Sequence, residues 1–101
     1  FTYIEDLVSG LKLCCENENS INQTFNLTYG SAKKISELIN ILKSEFPKTK
    51  INFKEREKFM PERGTLSIKK AKDLLGYEPK NPIESGYIKY IQWYKEFWNN
   101  L

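Results

Sequence analysis

The sequence contains no histidine, and its two cysteines, Cys14 and Cys15, are adjacent. Without histidine, the Ser–His and Cys–His pairs of nucleophilic catalysis are excluded. A disulfide between neighbouring cysteines would be strained, and a zinc site would lack imidazole ligands. The glycine-rich loops that hold phosphates in dinucleotide-binding and P-loop proteins are also missing. We therefore predict no catalytic residue, no metal site and no cofactor-binding residue, and we interpret both cysteines as small buried apolar residues.

Long apolar runs are missing as well, and no stretch approaches the ~18 residues of a membrane helix. The opening residues lack the basic start and apolar middle of a signal peptide. We therefore expect a cytoplasmic protein without a membrane partner. The 16 basic and 13 acidic residues leave a net charge of only +3, and they are spread along the chain. Nucleic acid is therefore not the expected partner.

Arginine is scarce, because only Arg56 and Arg63 among the 16 basic residues are arginines. Both lie in residues 56–66, where Pro61 and Gly64 and the lack of a period predict a connecting loop. An arginine in a lysine-rich chain indicates a position that needs the paired N–H donors of a guanidinium, such as a contact with phosphate or carboxylate. A pair of exposed salt bridges explains the two arginines almost as well.

Helical periodicity predicts four helices. A capping-box pattern, Thr2 with Glu5, precedes a helix over residues 4–16. Ser31 is the predicted cap of a second helix that Pro47 stops. The third helix is capped by Ser67 and ends at Gly76 in a left-handed conformation, and the fourth begins at Asn81-Pro82.

Two short stretches, residues 24–29 and 50–55, alternate as strands do. The order helix, strand, helix, strand predicts an α/β fold in which a short parallel strand pair is flanked by about four helices. In the last helix we interpret one apolar stripe as core: Ile83, Tyr87, Tyr90, Ile91, Tyr94 and Trp98. Trp93 and Phe97 lie off this stripe. We expect these two to cover a surface that the chain alone leaves bare.

The spacing Tyr29-x-x-x-Lys33 matches the catalytic Tyr–Lys pair of short-chain dehydrogenases. That pair needs both side chains one turn apart on one helix. Tyr29 precedes the glycine before the predicted helix, so we interpret the match as chance.

Three segments resemble one family. Residues 1–11, FTYIEDLVSGL, resemble the "FTYVDDVVEGI" segment of extended short-chain dehydrogenases, the family of UDP-glucose 4-epimerases and dTDP-glucose 4,6-dehydratases. Residues 24–31 and 35–39 are similar to its "YNIGNG" and "ELI" segments. Residues 61–80 resemble its "SKAKxLLGYxP" segment. The matches follow the family's order and cover nearly the whole chain.

The resemblance implies a two-lobed enzyme. An N-terminal Rossmann domain would hold NAD(P) and the catalytic residues, and residues 1–101 would be the C-terminal lobe that binds a nucleoside diphosphate sugar. The Arg-Asp pair that precedes the family's Phe is absent, so we expect missing upstream sequence. The expected partners are this Rossmann domain and the nucleotide sugar, and a homodimer is one expected state of the whole enzyme.

The resemblance also implies three substrate-binding residues. Arg63 matches an arginine that would bond to the diphosphate or ribose, and Phe1 matches an aromatic beside the nucleotide. Arg56 lies one place off the family's next arginine, and Glu57 and Met60 occupy columns that hold Arg and Asp in some members. The isolated chain is expected to be inactive. The competing hypothesis is a stand-alone basic α/β module that binds nucleic acid or a partner protein.

Overall fold

The computed structural model describes residues 1–61 and 64–100. The helices, in chain order, are α1 (Ile4–Glu16), α2 (Ile35–Glu45), α3 (Lys69–Leu75) and α4 (Ile83–Asn99), with a short 3-10 turn at Glu18–Ser20. The described residues form no strand. The α/β prediction with its parallel strand pair is therefore wrong, and the chain is helical.

The two predicted strands fail because alternation does not supply a pairing partner. Residues 24–29 are held by side chains instead: the Asn26 amide donates to the Ser67 carbonyl at 3.2 Å, and the Tyr77 hydroxyl donates to the Thr28 carbonyl at 3.2 Å. Residues 52–55 are exposed and have no regular structure. A strand pattern alone was therefore not sufficient to form a sheet here.

Two predicted helix caps are also wrong. Helix α1 begins directly behind Tyr3, and no side chain among the described residues caps it, so Thr2 is not its cap. Helix α2 begins at Ile35, well past Ser31, and the Lys34 N–H donates to the Glu37 carboxylate at 2.7 Å. Glu37, in the first turn of α2, thus accepts a hydrogen bond from a backbone N–H at the helix start, the role that was predicted for Ser31.

Of the two predicted ends of α3, only Gly76 is confirmed, because the N-cap is Ile68 and not the predicted Ser67. The Ser67 hydroxyl accepts a 3.3 Å hydrogen bond from the Lys69 N–H. Gly76 ends the helix with a φ of +68°, a left-handed conformation that glycine adopts without steric cost, so the prediction for Gly76 is confirmed.

The apolar core is small. Among the described residues, four apolar side chains are buried: Ala71, Leu75, Tyr77 and Ile91. Tyr77 is completely inaccessible to solvent. Helix α1 passes it at Gly10, where an added Cβ would lie 2.9 Å from atoms of Leu27 and Tyr77. Gly10 therefore allows α1 to approach Tyr77 at a distance that a larger residue would prevent.

Helix α4 crosses the start of α1 and lies against α2. A Cβ at Gly86 would lie 3.2 Å from the Cβ of Tyr3, which marks a close crossing. Towards the other end of α4, the Lys95 ammonium is 2.8 Å from the Glu45 carboxylate and 4.9 Å from the centroid of the Phe46 ring. These contacts fix the relative positions of α1, α2 and α4.

Much apolar surface remains exposed, as the sequence predicted. The exposed residues of α1 include Ile4, Val8 and Leu11, and the exposed residues of α4 include Trp93 and Phe97. Cys14 is half-buried but Cys15 is exposed, so the prediction that both cysteines are buried is wrong for Cys15. Among the described residues, no helix combines the length and apolarity needed to cross a membrane.

Candidate functional site

An apolar groove of about 370 Å³ lies where the chain start, α2 and α4 meet. Its aromatic and aliphatic lining includes Phe1, Tyr3, Ile4, Leu38, Ile83, Tyr87 and Tyr90. Thr2 and Asn81 supply side-chain polar groups. The groove is large enough for a ring-sized ligand or for an apolar element of another protein surface.

The groove is positioned by a buried carboxylate in α1. Asp6 is 4% exposed, and its oxygens accept hydrogen bonds from the Lys80 N–H, the Asn81 N–H and the Asn81 side-chain amide, each at 2.9 Å. These bonds join α1 to the segment that leads into α4. Because Asp6 and Asn81 are far apart in sequence, they fix the tertiary arrangement of the two helices.

The environment of Asp6 favours its charged form. Burial alone would raise the pKa of this carboxyl, but the three hydrogen bonds from Lys80 and Asn81, assisted by the positive charge of Lys89, hold its pKa below the ordinary value. A buried carboxylate with several donors is a stable structural anion rather than a proton donor at neutral pH.

Lys89 extends the network to two residues of the groove lining, Asn81 and Tyr3. Its ammonium donates to the Asn81 side-chain oxygen at 2.7 Å and lies 3.6 Å from the Glu5 carboxylate. It also lies 5.3 Å from the centroid of the Tyr3 ring, within cation–π distance. Lys89 thus holds one groove ring, Tyr3, and the Asn81 side chain in place.

The described lining of the groove includes no Asp, Glu, Lys, Arg or Cys side chain. Its lining is predominantly apolar, and the ordered carboxylate Asp6 has its oxygens occupied by hydrogen bonds. Among the described residues, no group of three or more His, Cys, Asp or Glu side chains is placed to hold a metal ion. The arrangement fits a surface that positions an apolar or aromatic group.

Of the three predicted substrate-binding residues, the structure describes Phe1 and Arg56, and only Phe1 lines the groove. Phe1 lines the groove and is 71% exposed. Arg56 lies in the exposed loop, where its guanidinium donates to the Met60 carbonyl at 3.1 Å, and it is not part of the groove lining. Arg63 lies outside the described residues.

The Tyr29–Lys33 spacing does not place the two side chains on one helix, because α2 begins only at Ile35. The Lys33 ammonium lies 2.8 Å from the Glu84 carboxylate and 3.7 Å from that of Glu37. The hydrogen bond and charge of Glu84, with Glu37, raise the pKa of Lys33. The interpretation of this spacing as a chance match agrees with the geometry.

Sequence reasoning missed Tyr3, Tyr87 and Tyr90 as groove residues and missed the Asp6–Asn81 network. Tyr87 and Tyr90 were assigned to a core stripe, yet they line an open groove. The sequence carried no signal for the Asp6–Asn81 pairing, because residues 75 positions apart have no local period in common.

The described residues do not fit a dinucleotide cofactor. Binding of that kind requires glycines in a loop that opens a helix, so that the backbone can approach the pyrophosphate. Gly10 and Gly86 instead lie inside α1 and α4, against Leu27 and Tyr3, and the other three glycines stand singly in connecting segments, at positions 30, 64 and 76. No reaction step through NAD(P) follows from these residues.

The chain is similar over nearly its whole length to part of nucleotide-sugar decarboxylases and epimerases. It is 37% identical over 95 residues to UDP-glucuronic acid decarboxylase 1 of Danio rerio, covering 93% of this chain and 22% of the relative. It is 28% identical over 116 residues to UDP-glucuronate 4-epimerase 4 of Arabidopsis thaliana, covering 98% of this chain and 26% of the relative. An uncharacterized protein of Methanocaldococcus jannaschii is 29% identical over 102 residues, covering 95% of this chain and 29% of its own length.

These similarities support the epimerase and dehydratase resemblance at the level of nucleotide-sugar enzymes. The chain spans only about a quarter of the curated relatives it matches. No family model matches the sequence, and no solved structure matches it.

Proposed function

We propose that this chain is the nucleotide-sugar-binding portion of an NAD(P)-dependent enzyme that acts on UDP-glucuronate or a closely related UDP-sugar. One observation carries the proposal: nearly the entire chain aligns with about a quarter of enzymes named for UDP-glucuronate. The remaining three quarters of such an enzyme would have to supply the cofactor site and the catalytic residues. By itself, the chain would be inactive.

The exposed face of α1 supports a second part of the proposal. Ile4, Val8 and Leu11 recur at helical spacing, and each is more than half exposed. Ile4 also lines the groove. Apolar surface of this kind is typical of an interface. We assign this face to contact with the Rossmann half of the enzyme.

Within the proposal, Phe1 and the groove aromatics contact the base or sugar ring of the substrate. Arg63, with Arg56 in the same loop, contacts the diphosphate, because a guanidinium offers paired donors to phosphate oxygens. NAD(P), when bound by the Rossmann half, supplies hydride transfer. The residues of this chain bind and orient the substrate.

We prefer this proposal to the competing basic nucleic-acid module because the net charge is only +3 and the basic residues are spread along the chain. Several lysines face carboxylates within 4 Å, among them Lys12, Lys33, Lys69, Lys89 and Lys95. These five cations are less available to a polyanion than unpaired ones.

The experiment uses the longest polypeptide that the gene encodes. Conversion of UDP-glucuronate and the Kd for UDP are measured for the wild type, Arg63→Ala, Arg63→Lys and Phe1→Ala, together with thermal stability. Loss of the Arg63 contact should weaken UDP binding by about 1.5–3 kcal/mol, and lysine should restore only part. Ile21→Ala is the matched control, because Ile21 is exposed and is not part of the groove lining.

A polypeptide that neither binds UDP nor converts any UDP-sugar would contradict the proposed function. Unchanged UDP affinity in Arg63→Ala would instead remove only the role of Arg63, whatever happens to its stability.

A further inference from the structure

Two residues of the groove lining are held by a side chain that is not part of that lining. Asn81 and Tyr3 line the groove, and both contact the ammonium of Lys89. The Lys89 side chain is 47% exposed and lies beside the Glu5 carboxylate. Lys89 therefore stands outside the groove, and it can act on a bound ligand through Asn81 and Tyr3.

The side-chain amide of Asn81 is held between opposite charges. Its nitrogen donates to the Asp6 carboxylate at 2.9 Å, and its oxygen accepts from the Lys89 ammonium at 2.7 Å. Rotation of the amide by half a turn would bring the nitrogen against the ammonium and the oxygen against the carboxylate, and both contacts would become repulsive. The two charges therefore fix one orientation of the amide.

The fixed amide keeps hydrogen-bonding capacity for a ligand. An asparagine side chain has two N–H donors and two acceptor positions on its oxygen. Asp6 and Lys89 use one of each. The remaining donor and acceptor suit a ring whose edge carries polar groups, as in a pyrimidine base or a sugar.

The ring of Tyr3 is held by two residues of α4. A Cβ at Gly86 would lie 3.2 Å from the Cβ of Tyr3 and 3.3 Å from two atoms of its ring. The Lys89 ammonium lies 5.3 Å from the centroid of the same ring. Positions 86 and 89 share one side of the helix, because residues three apart are neighbours on its surface. The contact with Gly86 restricts the ring, and the cation of Lys89 attracts it.

A groove with preset groups binds a ligand more tightly than one whose groups must first be ordered. Each side chain that a ligand has to immobilise lowers the affinity, because the lost rotamer freedom opposes binding. In this groove Lys89 orders Tyr3 and Asn81 before a ligand arrives.

We propose that Lys89 is a positioning residue of the groove, which raises the affinity for a ring-shaped ligand by fixing Tyr3 and the Asn81 amide. The inference rests on the proposed function, in which the groove takes a ring of a UDP-sugar.

Lys95 provides a matched control on the same helix. Its ammonium also faces a carboxylate, that of Glu45 at 2.8 Å, and an aromatic ring, that of Phe46 at 4.9 Å. Its side chain is 41% exposed, and none of these three residues is part of the groove lining. Methionine at position 95 therefore removes the same kinds of contact as methionine at position 89, but away from the groove.

The test measures the Kd for UDP by calorimetry in the longest polypeptide that the gene encodes. Lys89→Met keeps the length of the side chain and should raise the Kd about tenfold, since two side chains must then be ordered on binding. Lys89→Arg should recover most of the affinity, because a guanidinium can also donate to Asn81 and attract the Tyr3 ring. Lys95→Met should leave the Kd unchanged, and the two methionine variants should have similar melting temperatures.

Two further readouts separate positioning from a general loss of structure. With UDP-glucuronate as substrate, Lys89→Met should raise KM and leave kcat unchanged, because a contact made equally in the ground and transition states affects KM alone. In a double variant of Lys89→Met with Tyr3→Leu, the loss of UDP affinity should be smaller than the product of the two single losses. Part of the effect of Lys89 passes through the Tyr3 ring, so the two losses are coupled.

The inference is overturned by wild-type UDP affinity in Lys89→Met, or by an equal loss of affinity in Lys95→Met. A Lys89→Arg variant that binds as weakly as Lys89→Met would overturn it as well, as would fully multiplicative losses in the double variant. Each of these results leaves the proposed function intact. A wild type that binds no UDP would instead contradict the proposed function, and the positioning role would fall with it.

Discussion

The two faces of α1 differ in burial, and the apolar face is the exposed one. The residues that this helix buries are Asp6 and Gly10, whereas Ile4, Val8 and Leu11 are more than half exposed. In a helix that packs only within its own domain, the apolar stripe is the buried face. Here the polar and small residues make the internal contacts, so the apolar stripe is available for a surface outside the described chain.

The two faces of α1 therefore have different roles, one in the stability of the chain and the other in contact with a partner. The face with Asp6 and Gly10 makes the contacts that hold α1 to Asn81 and Tyr77. The face with Ile4, Val8 and Leu11 adds little to the folding of the chain by itself. Substitutions on the first face should change the free energy of unfolding, and substitutions on the second should change contacts with a partner.

The largest effect is expected from Asp6→Ala. This variant removes the acceptor of three hydrogen bonds and leaves buried donors of Asn81 without partners, which should cost about 3 kcal/mol of unfolding free energy. Denaturant unfolding followed by circular dichroism measures it. The control is the adjacent Glu5→Ala, whose exposed pairing with Lys89 should contribute less than about 1 kcal/mol. Equal losses of unfolding free energy in the two variants would show that the buried Asp6 contributes no more than the exposed Glu5.

A smaller loss is expected from Gly10→Leu. The new side chain would meet Leu27 and the fully buried Tyr77, and overpacking of this kind costs about 1–3 kcal/mol. The neighbouring exposed position gives the control, since Ser9→Leu should change stability by no more than about 0.5 kcal/mol. If Gly10→Leu is as stable as Ser9→Leu in thermal melts, the close approach of α1 to Tyr77 is incorrect.

Acid should reduce the contribution of Asp6 to the unfolding free energy. Because the pKa of Asp6 is lower in the folded than in the unfolded chain, its contribution is fully present above the unfolded value of about 3.9. It is lost as the pH falls from there through the folded pKa. Asp6→Ala should therefore lose less unfolding free energy than the wild type between neutral pH and about pH 3. Some acid sensitivity should remain in the variant, because the hydrogen bond from Lys33 also lowers the pKa of Glu84. Parallel pH profiles would contradict this role of Asp6.

The smallest effect on the isolated chain is expected from Val8→Glu. Val8 is exposed and glutamate favours helix, so the unfolding free energy should change by no more than about 0.5 kcal/mol. In the longest encoded polypeptide the same variant should lose UDP-sugar conversion, because a charge would be buried at the proposed interface. A large loss of stability in the isolated chain would show that this face already packs internally.

The sequence predicted features that depend on local pattern. Helical period and glycine freedom predicted the bounds of α1 and the left-handed Gly76. Proline geometry predicted the start of α4 to within one residue, since Pro82 is the N-cap and not the first helical residue. The strands at 24–29 and 50–55 were wrong because pairing depends on residues far away in sequence. The Asp6–Asn81 bonds escaped prediction for the same reason.

The candidate site was predictable only in part. Phe1 was identified by resemblance and lines the groove, whereas nothing in the pattern of α4 distinguished groove residues such as Tyr87 from core residues such as Ile91. The role of Arg63 in substrate binding stays a prediction.

The central claim is that the apolar face of α1 packs against the rest of a nucleotide-sugar enzyme. The most direct measurement is the labelling rate of Val8→Cys by a thiol reagent, followed at the peptide level by mass spectrometry. The rate is compared between this chain and the longest polypeptide that its gene encodes. We predict labelling at least about tenfold slower in the longer polypeptide, because the face must open before the reagent can reach it. Equal rates, or a gene that encodes nothing beyond this chain, would contradict the claim.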